Sequence, residues 1–477
     1  MAVLKVVVLV LLTRLLSPAD FGLVGAALVV IGFSLNFSQV GLGPAVVQRS
    51  VLEPRHVSTA FVASTALGFI VGAVIWLCAP LIAQFFHMEH LTPVVRWLAL
   101  IFPISGIGTV PDSLLTRDLR FQLIANRDVL AYALGYGVIG IGLALLGWGV
   151  WALVTAQLAH TVLRTGILLW AAHPFLSARP TWRSFVELME YGVGQSVARM
   201  GVILANQLDN LVVGRWLGAV ALGLYSRAYQ LMAVPTALLG DVLDRVLFPT
   251  MARVQDDPRR LGSAYLQGVA VMALVTLPAG VIIAVVAPEL IVVAFGSRWE
   301  DLVPPFQVLA LAMMFRTSSR MSDSLSRATG RVYRRAWRQN LFAGLIFLGA
   351  WIGQHWGVTG VALGVFCALF TNYLLMAQLS LSVVPITWGK FFLAQLPAVR
   401  MAVIVGGVTL ATTAGTRHAM LPPLAGLGAG LIAGFGSGLL LAWLAPTFAL
   451  GEYGIRMRDT LRAQLARLRP FRLRKPA

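Results

Sequence analysis

Long apolar runs, broken by short polar and arginine-rich stretches, fill the chain from end to end. A helix that crosses a bilayer needs about 20 mostly apolar residues, and on that measure roughly fourteen spans are expected. The first is a short run at 2–13, followed by 21–41, 58–79, 94–111, 128–147 and 150–171. Then come 188–213, 222–243, 263–286, 303–322, 339–354, 357–379, 392–414 and 422–445. The expected fold class is an all-α integral membrane protein, with no connecting segment long enough for a separate soluble domain.

Composition narrows the picture. Only 12% of the 477 residues are charged and 58% are hydrophobic, where soluble domains carry about 25% charge. With a mean hydropathy of +0.81, a soluble or disordered chain is excluded. The net charge of +18 would suggest nucleic acid in a soluble protein, so its location matters. Arg49, Arg55, Arg117, Arg120, Arg127, Arg179, Arg183, Arg245, Arg253, Arg259 and Arg260 fall on one side of the spans. So do the 327–338 cluster, Lys390 and the C-terminal tail, whereas the opposite loops hold Arg14, Arg215, Arg298 and Arg417. That asymmetry predicts that both termini are cytoplasmic. In the tail, Arg456, Arg458, Arg462, Arg467, Arg469, Arg472, Arg474 and Lys475 surround Leu461, Leu465 and Leu468. A basic amphipathic segment beside a last span is expected to lie on anionic inner-leaflet lipids. With Phe471 as its one aromatic, it offers little to stack on bases, so no nucleic-acid partner is expected.

Two stretches about 200 residues apart match. Arg14-Leu15-Leu16-Ser17-Pro18-Ala19-Asp20-Phe21-Gly22-Leu23 aligns with Arg215-Trp216-Leu217-Gly218-Ala219-Val220-Ala221-Leu222-Gly223-Leu224. Each lies in the loop after the first span of a six-span block, as in a parallel repeat about an axis along the membrane normal. The expected domains are an N-terminal lobe at 1–180, a second lobe at 181–385, two additional helices at 386–450, and the tail at 451–477. By the repeat, the first span's counterpart of 188 falls about a dozen residues before Met1, so the first helix is expected to be short. A signal peptide, with Lys5 ahead of Val6–Leu12, lacks a clear small-x-small cleavage site.

Ionisable groups at membrane depth cost about 2.5–3.5 kcal/mol each, which makes them functional candidates. In the seventh span Gln195, Arg199, Asn206 and Asp209 share one face, with Asn210 beside it, either lining a cavity or forming a helix-gluing pair. In the second span Gly32, Asn36, Gln39 and Gly43 recur at helical spacing and suit either close packing or substrate contact. Arg227 shares a face with Gly223 and Gln230, and Arg316, Arg320, Asp323 and Arg327 follow one another along the tenth span. Arg14 and Arg215 sit at matching loop positions, as gate residues or as loop structure. In the first six spans Asp112 and Asp128 are placed near the ends, leaving no acid near mid-depth, and His160 is expected to be packed. There is no P-loop, no zincin-type histidine pair and no nucleophile triad. Cys78 and Cys367 lie in apolar runs, and neither a metal nor a cofactor is expected.

Several segments resemble the bacterial polysaccharide flippases of Wzx type, in the multidrug/oligosaccharidyl-lipid/polysaccharide exporter superfamily. They are Leu11-Leu12-Thr13-Arg14-Leu15-Leu16-Ser17-Pro18-Ala19-Asp20-Phe21-Gly22 and Asp209-Asn210-Leu211-Val212-Val213-Gly214-Arg215-Trp216-Leu217-Gly218. Leu222-Gly223-Leu224-Tyr225-Ser226-Arg227-Ala228-Tyr229, Pro235 and Leu247-Phe248-Pro249 extend the second. The resemblance implies two six-helix lobes around a central cavity, plus two C-terminal helices. It also implies translocation of undecaprenyl-diphosphate-linked oligosaccharide to the outer leaflet for lipopolysaccharide or exopolysaccharide, with polysaccharide polymerase machinery as a candidate partner. An arginine such as Arg199 suits a diphosphate, since guanidinium donates in a planar fork. A drug/cation antiporter would want a mid-depth carboxylate in the first lobe. A membrane glycan-assembly enzyme would need a sizeable outer loop, and a non-transporting scaffold is the third alternative.

Overall fold

In the computed structural model the backbone is described for residues 2–39, 41–172 and 178–468. Side chains are described there except at 2, 36, 39, 191–205, 237–250, 332, 456–457 and 460–468. All regular structure among the described residues is helical. The chain starts with α1 (Ala2–Leu15), α2 (Pro18–Gln39), α3 (Leu42–Gln48), α4 (Pro54–Phe86), α5 (Leu91–Leu98) and α6 (Ile101–Arg117). α7 (Phe121–Tyr132) runs through a π-helical stretch, Ala133–Gly140, into α8 (Ile141–Leu145), and α9 (Val150–Ala172) follows. α10 (Trp182–Val212) passes through a second π-helical turn, Val213–Leu217, into α11 (Gly218–Arg253). Next come α12 (Pro258–Val285), α13 (Ala287–Phe295), a 3-10 segment at Ser297–Leu302, α14 (Val303–Ala328) and α15 (Val332–Gly353). The last are α16 (Gly357–Leu381), α17 (Trp388–Leu393), α18 (Leu396–His418), α19 (Pro423–Leu444) and α20 (Pro446–Leu468).

Every apolar run read from the sequence overlaps a helix. Among the described residues, nine stretches are long and apolar enough to cross a membrane, and one of them, 333–381, carries both α15 and α16. One expected helix face does not form. Gly43 was placed on the face of Gly32, but α2 ends at Gln39 and Gly41 takes φ 65°, so Gly43 belongs to the separate α3. A left-handed glycine ends the helical periodicity that the spacing assumed.

The chain forms two compact units. Unit 1 comprises Met1–Arg227, Ala294–Leu302 and Gln339–Val365, and unit 2 holds the rest. In unit 1, Leu42 and Val46 of α3 pack with Ala60 of α4 and Val110 of α6. In unit 2, Tyr265 of α12, Met321 of α14, Tyr373 of α16 and Phe391 of α17 form the corresponding core. α19 shows how such helices divide their faces. Gly426, Gly430, Gly434 and Gly438 are buried at every fourth position, while Ile432, Leu439 and Trp443 point outward. A Cβ on Gly434 would lie 2.7 Å from Thr409 Oγ1 on α18. Small residues thus let the two backbones close up while the branched side chains face lipid.

Polar groups at helix ends are tied down locally. Glu187, near the start of α10, binds Arg49 at 2.6 Å, Arg183 at 3.2 Å and the buried His56 at 3.2 Å. Desolvation alone would raise the Glu187 carboxyl, but its hydrogen bonds from Arg49, His56 and Arg183 hold it below the ordinary glutamate value. A depressed carboxylate contributes stability above its unfolded pKa and loses it as pH falls through the folded one. The difference in melting temperature between the native chain and Glu187→Gln is therefore expected to shrink between about pH 6 and about pH 3. A pH-independent difference in thermal melts would contradict this.

Candidate functional site

The two copies of the internal repeat meet within unit 1, at the end of the helices whose loops are poor in arginine. An ideal Cβ on Gly22 would sit 1.7 Å from the carbonyl oxygen of Ala219, and one on Gly223 would sit 1.9 Å from that of Pro18. In the repeat register Ala219 is the counterpart of Pro18, and Gly223 is the counterpart of Gly22. The contact is therefore reciprocal, the signature of a self-complementary two-fold interface. Only glycine at both positions permits this backbone approach between the first turns of α2 and α11.

The matching arginines do not share partners. Arg14 Nε donates to Ala294 O at 3.0 Å, and beside it Trp299 Nε1 donates to Thr13 O at 2.8 Å. Trp299 is fully buried, with Phe21 and Phe295 edge-on to its ring. Arg215 lies 2.7 Å from His87 Nδ1 and packs over the rings of Phe85 and Trp216. Both arginines hold the arginine-poor end of unit 1 together, each through a different element. One turn below Gly223, the Arg227 guanidinium sits 4.3 Å from the centroid of Phe21, a cation–π contact beneath the glycine seam. Asp209 is buried, and accepts from Tyr225 Oη at 2.8 Å, which ties α10 to α11. Asn206, one turn earlier on α10, is exposed.

A second polar group lies in unit 1 toward the arginine-rich ends of α6, α7 and α9. The Arg127 side chain, only 2% exposed, contacts Asp112 at 2.5 Å and Asp128 at 2.8 Å. Arg164 reaches both carboxylates at 3.5 Å. Two cations and two anions leave this group electrically balanced. Next to it is a cavity of about 170 Å³, lined by Ser105 and Asp112 of α6 and by Gln157, His160, Thr161 and Arg164 of α9. Tyr136 Oη donates to Gln157, and the rings of Tyr132 and Tyr136 lie 6.0 and 5.9 Å from His160. The π-helical stretch makes this approach, because Gly135 puts its backbone so close to α9 that a Cβ would lie 2.7 Å from His160 N. π-helical turns of this kind recur at functional sites.

In unit 2, Arg316 of α14 donates to Tyr229 Oη and lies 5.0 Å from the centroid of the same ring. Three residues past Arg320, Asp323 pairs with Arg327 at 3.2 Å and with Arg335.

A family profile described as "Polysaccharide biosynthesis protein" matches residues 11–304, more than half of the chain. The chain belongs to this family. Both segments that carry the sequence resemblance, 11–22 and 209–249, lie inside the matched stretch. Among similar proteins, the teichuronic acid biosynthesis protein TuaB of Bacillus subtilis is 27% identical over 302 residues. That match spans 61% of this chain and 61% of TuaB's own length. The lipopolysaccharide biosynthesis protein WzxC of Escherichia coli is 26% identical over 378 residues, covering 78% of this chain and 76% of WzxC. The solved structure of the lipid II flippase MurJ superposes with a TM-score of 0.72 at 12% identity, over 93% of this chain and 97% of MurJ. The chain therefore has the all-α, multi-pass membrane fold of that structure.

Of the residues expected at the site, the structure brings Arg14, Arg215, Arg227 and Asp209 to the arginine-poor part of unit 1, each already bonded. Arg316 and Arg320 belong to unit 2. The side chains of Arg199, Gln195, Asn36 and Gln39 lie outside the described residues. The sequence reading missed the group formed by Asp112, Arg127, Asp128 and Arg164. Its members come from three helices, so no single helical face displays them. No sequence signal announced it, because glycines such as Gly135 are common in membrane helices.

Proposed function

We propose that the chain is a flippase that moves undecaprenyl-diphosphate-linked oligosaccharide from the cytoplasmic to the outer leaflet by alternating access, with both termini cytoplasmic. In this reading the arginine-poor end is the outer one, and the lobes at 1–180 and 181–385 rock about the repeat axis. The observation that carries the reading is the glycine seam. The two repeat copies touch backbone to backbone at the end where cargo must leave, and a contact of bare backbone separates without stranding side chains. Family membership supports polysaccharide as the cargo class, and the names of TuaB, WzxC and MurJ point to envelope glycans and to a lipid-linked form.

Arg199, near mid-depth on α10, is assigned to the diphosphate, with Gln195, Asn206, Asn36 and Gln39 toward sugar hydroxyls. Arg227 in unit 1, and Arg316 and Arg320 in unit 2, are each assigned as further cations for the cargo. Asp209 serves as the structural partner of Tyr225, and Arg14 and Arg215 as gate residues that fasten the outer end. An antiporter's uncompensated carboxylate is not what Asp112 and Asp128 provide, since each is within ion-pair distance of Arg127 and Arg164. In cells that depend on the chain for surface glycan, Arg199→Ala at normal protein level is expected to cut export about tenfold or more, the cost of one charge-assisted phosphate contact. Unchanged surface glycan would remove Arg199 from this role. Polymerase machinery then receives the product on the outer face, and the basic tail at 451–477 rests on anionic lipid.

A further inference from the structure

Within unit 2, a cavity of about 510 Å³ lies among α12, α17, α18 and the bend in α20. Gly451 makes the bend. Its φ of 61° breaks α20, and a Cβ there would lie 2.6 Å from Pro397 Cγ, so the chain turns tightly over α18 and leaves the space beside it. The wall is apolar, with Leu266, Ala394, Leu450 and Tyr453, while Arg259 and Lys390 supply two cations to the lining. Glu452 also lines the cavity, and the cations outnumber it. Neither Arg259 nor Lys390 makes an ion pair among the described residues.

Depth is fixed by α17. Trp388 is 41% exposed and stacks on Phe392, next to an exposed Leu393. Exposed tryptophan beside exposed aliphatic residues is the pattern of a membrane–water interface. From there α18 presents Val399 and Val403 outward, as a lipid-facing helix does. The cavity thus opens at headgroup level, with positive charge and an apolar wall in the same chamber. A soluble phosphate would use the cations but not the wall, and an uncharged lipid would use the wall but not the cations.

We propose that this cavity binds the phosphate headgroup of an anionic glycerophospholipid from the leaflet it opens to, with Arg259 and Lys390 on the phosphate. The first methylenes lie along Leu266, Leu450 and Ala394. The site is separate from the transport path proposed above and does not depend on it. The test is lipid titration by native mass spectrometry on the full chain in detergent. The probes are dioleoyl phosphatidylglycerol, dioleoyl phosphatidylcholine and undecaprenyl phosphate.

Phosphatidylglycerol is expected to bind the native chain more tightly than phosphatidylcholine. Arg259→Gln with Lys390→Gln should weaken it about tenfold or more. Arg331→Gln with Arg334→Gln, which removes two cations elsewhere in unit 2, should leave it unchanged. Ala394→Trp, which fills the chamber and keeps both charges, should weaken it as well; if that variant misfolds, the charge pair carries the test. Equal affinity for phosphatidylcholine, or phosphatidylglycerol binding that survives the Arg259/Lys390 change, would overturn the site. Undecaprenyl phosphate displacing phosphatidylglycerol at equal concentration would overturn the choice of lipid.

Discussion

Gly223→Val is expected to stop export and to hold the outer end open. Even the first carbon of the new side chain would coincide with the Pro18 carbonyl, and neither side of the contact has a side chain that could swing away. Overpacking usually costs about 1–3 kcal/mol even where side chains can adjust. A penalty of about 2 kcal/mol on the closed arrangement alone shifts the closed-to-open ratio by about 30-fold. The reciprocal geometry adds a sharper expectation, since Gly22→Val should act in the same direction and to a similar degree. Leu222, fully buried in the native chain, serves as the reporter. With Cys78 and Cys367 replaced, a Leu222→Cys probe should gain labelling by a membrane-impermeant maleimide in the Gly223→Val background. Normal export with unchanged labelling would show that the seam never has to open.

Arg127→Leu is expected to be the most damaging single change in the polar group of unit 1. It leaves Asp112 and Asp128 with Arg164 at 3.5 Å as their one remaining cation within the group. Asp112 and Asp128 are 35% and 39% exposed and keep Arg164, so the loss falls below the cost of a fully buried pair, at roughly 1–3 kcal/mol. Within the stability of a typical domain that is a large fraction, so the protein level should fall steeply. Charge balance predicts the rescue: Asp112→Asn with Asp128→Asn should restore part of the level lost in Arg127→Leu. Native yield and melting temperature for Arg127→Leu would mean that the cluster contributes nothing to folding.

The helices and the repeat were legible because each is written in short continuous segments. An apolar run declares a span by itself, and the Arg14–Leu23 and Arg215–Leu224 copies declare each other by spacing. That the two copies touch, with Gly22 against Ala219, was not legible, since glycine is frequent in membrane helices for several reasons. The seventh-span face left both a cavity lining and a helix-gluing pair open. Asp209 shares the spacing of Asn206, yet one turn of helix takes it from an exposed position to a buried bond with Tyr225. Asp112 and Asp128, placed near helix ends, meet Arg127 and Arg164 there across three helices. Tertiary packing alone decides such a meeting. Helical periodicity also assumes 3.6 residues per turn throughout, and the π-helical stretches at 133–140 and 213–217 shift the register where Tyr136 and Arg215 are aimed.

Lipid-linked cargo crossing the bilayer is measured most directly in liposomes that contain the purified chain and a fluorescent undecaprenyl-diphosphate-linked oligosaccharide. With the native chain, the labelled glycan that starts on the inner leaflet should become accessible to an external quencher over time, and the Gly223→Val variant should leave it protected. A pool that stays protected with the native chain, or label that moves from the lipid onto another sugar, would contradict a flippase.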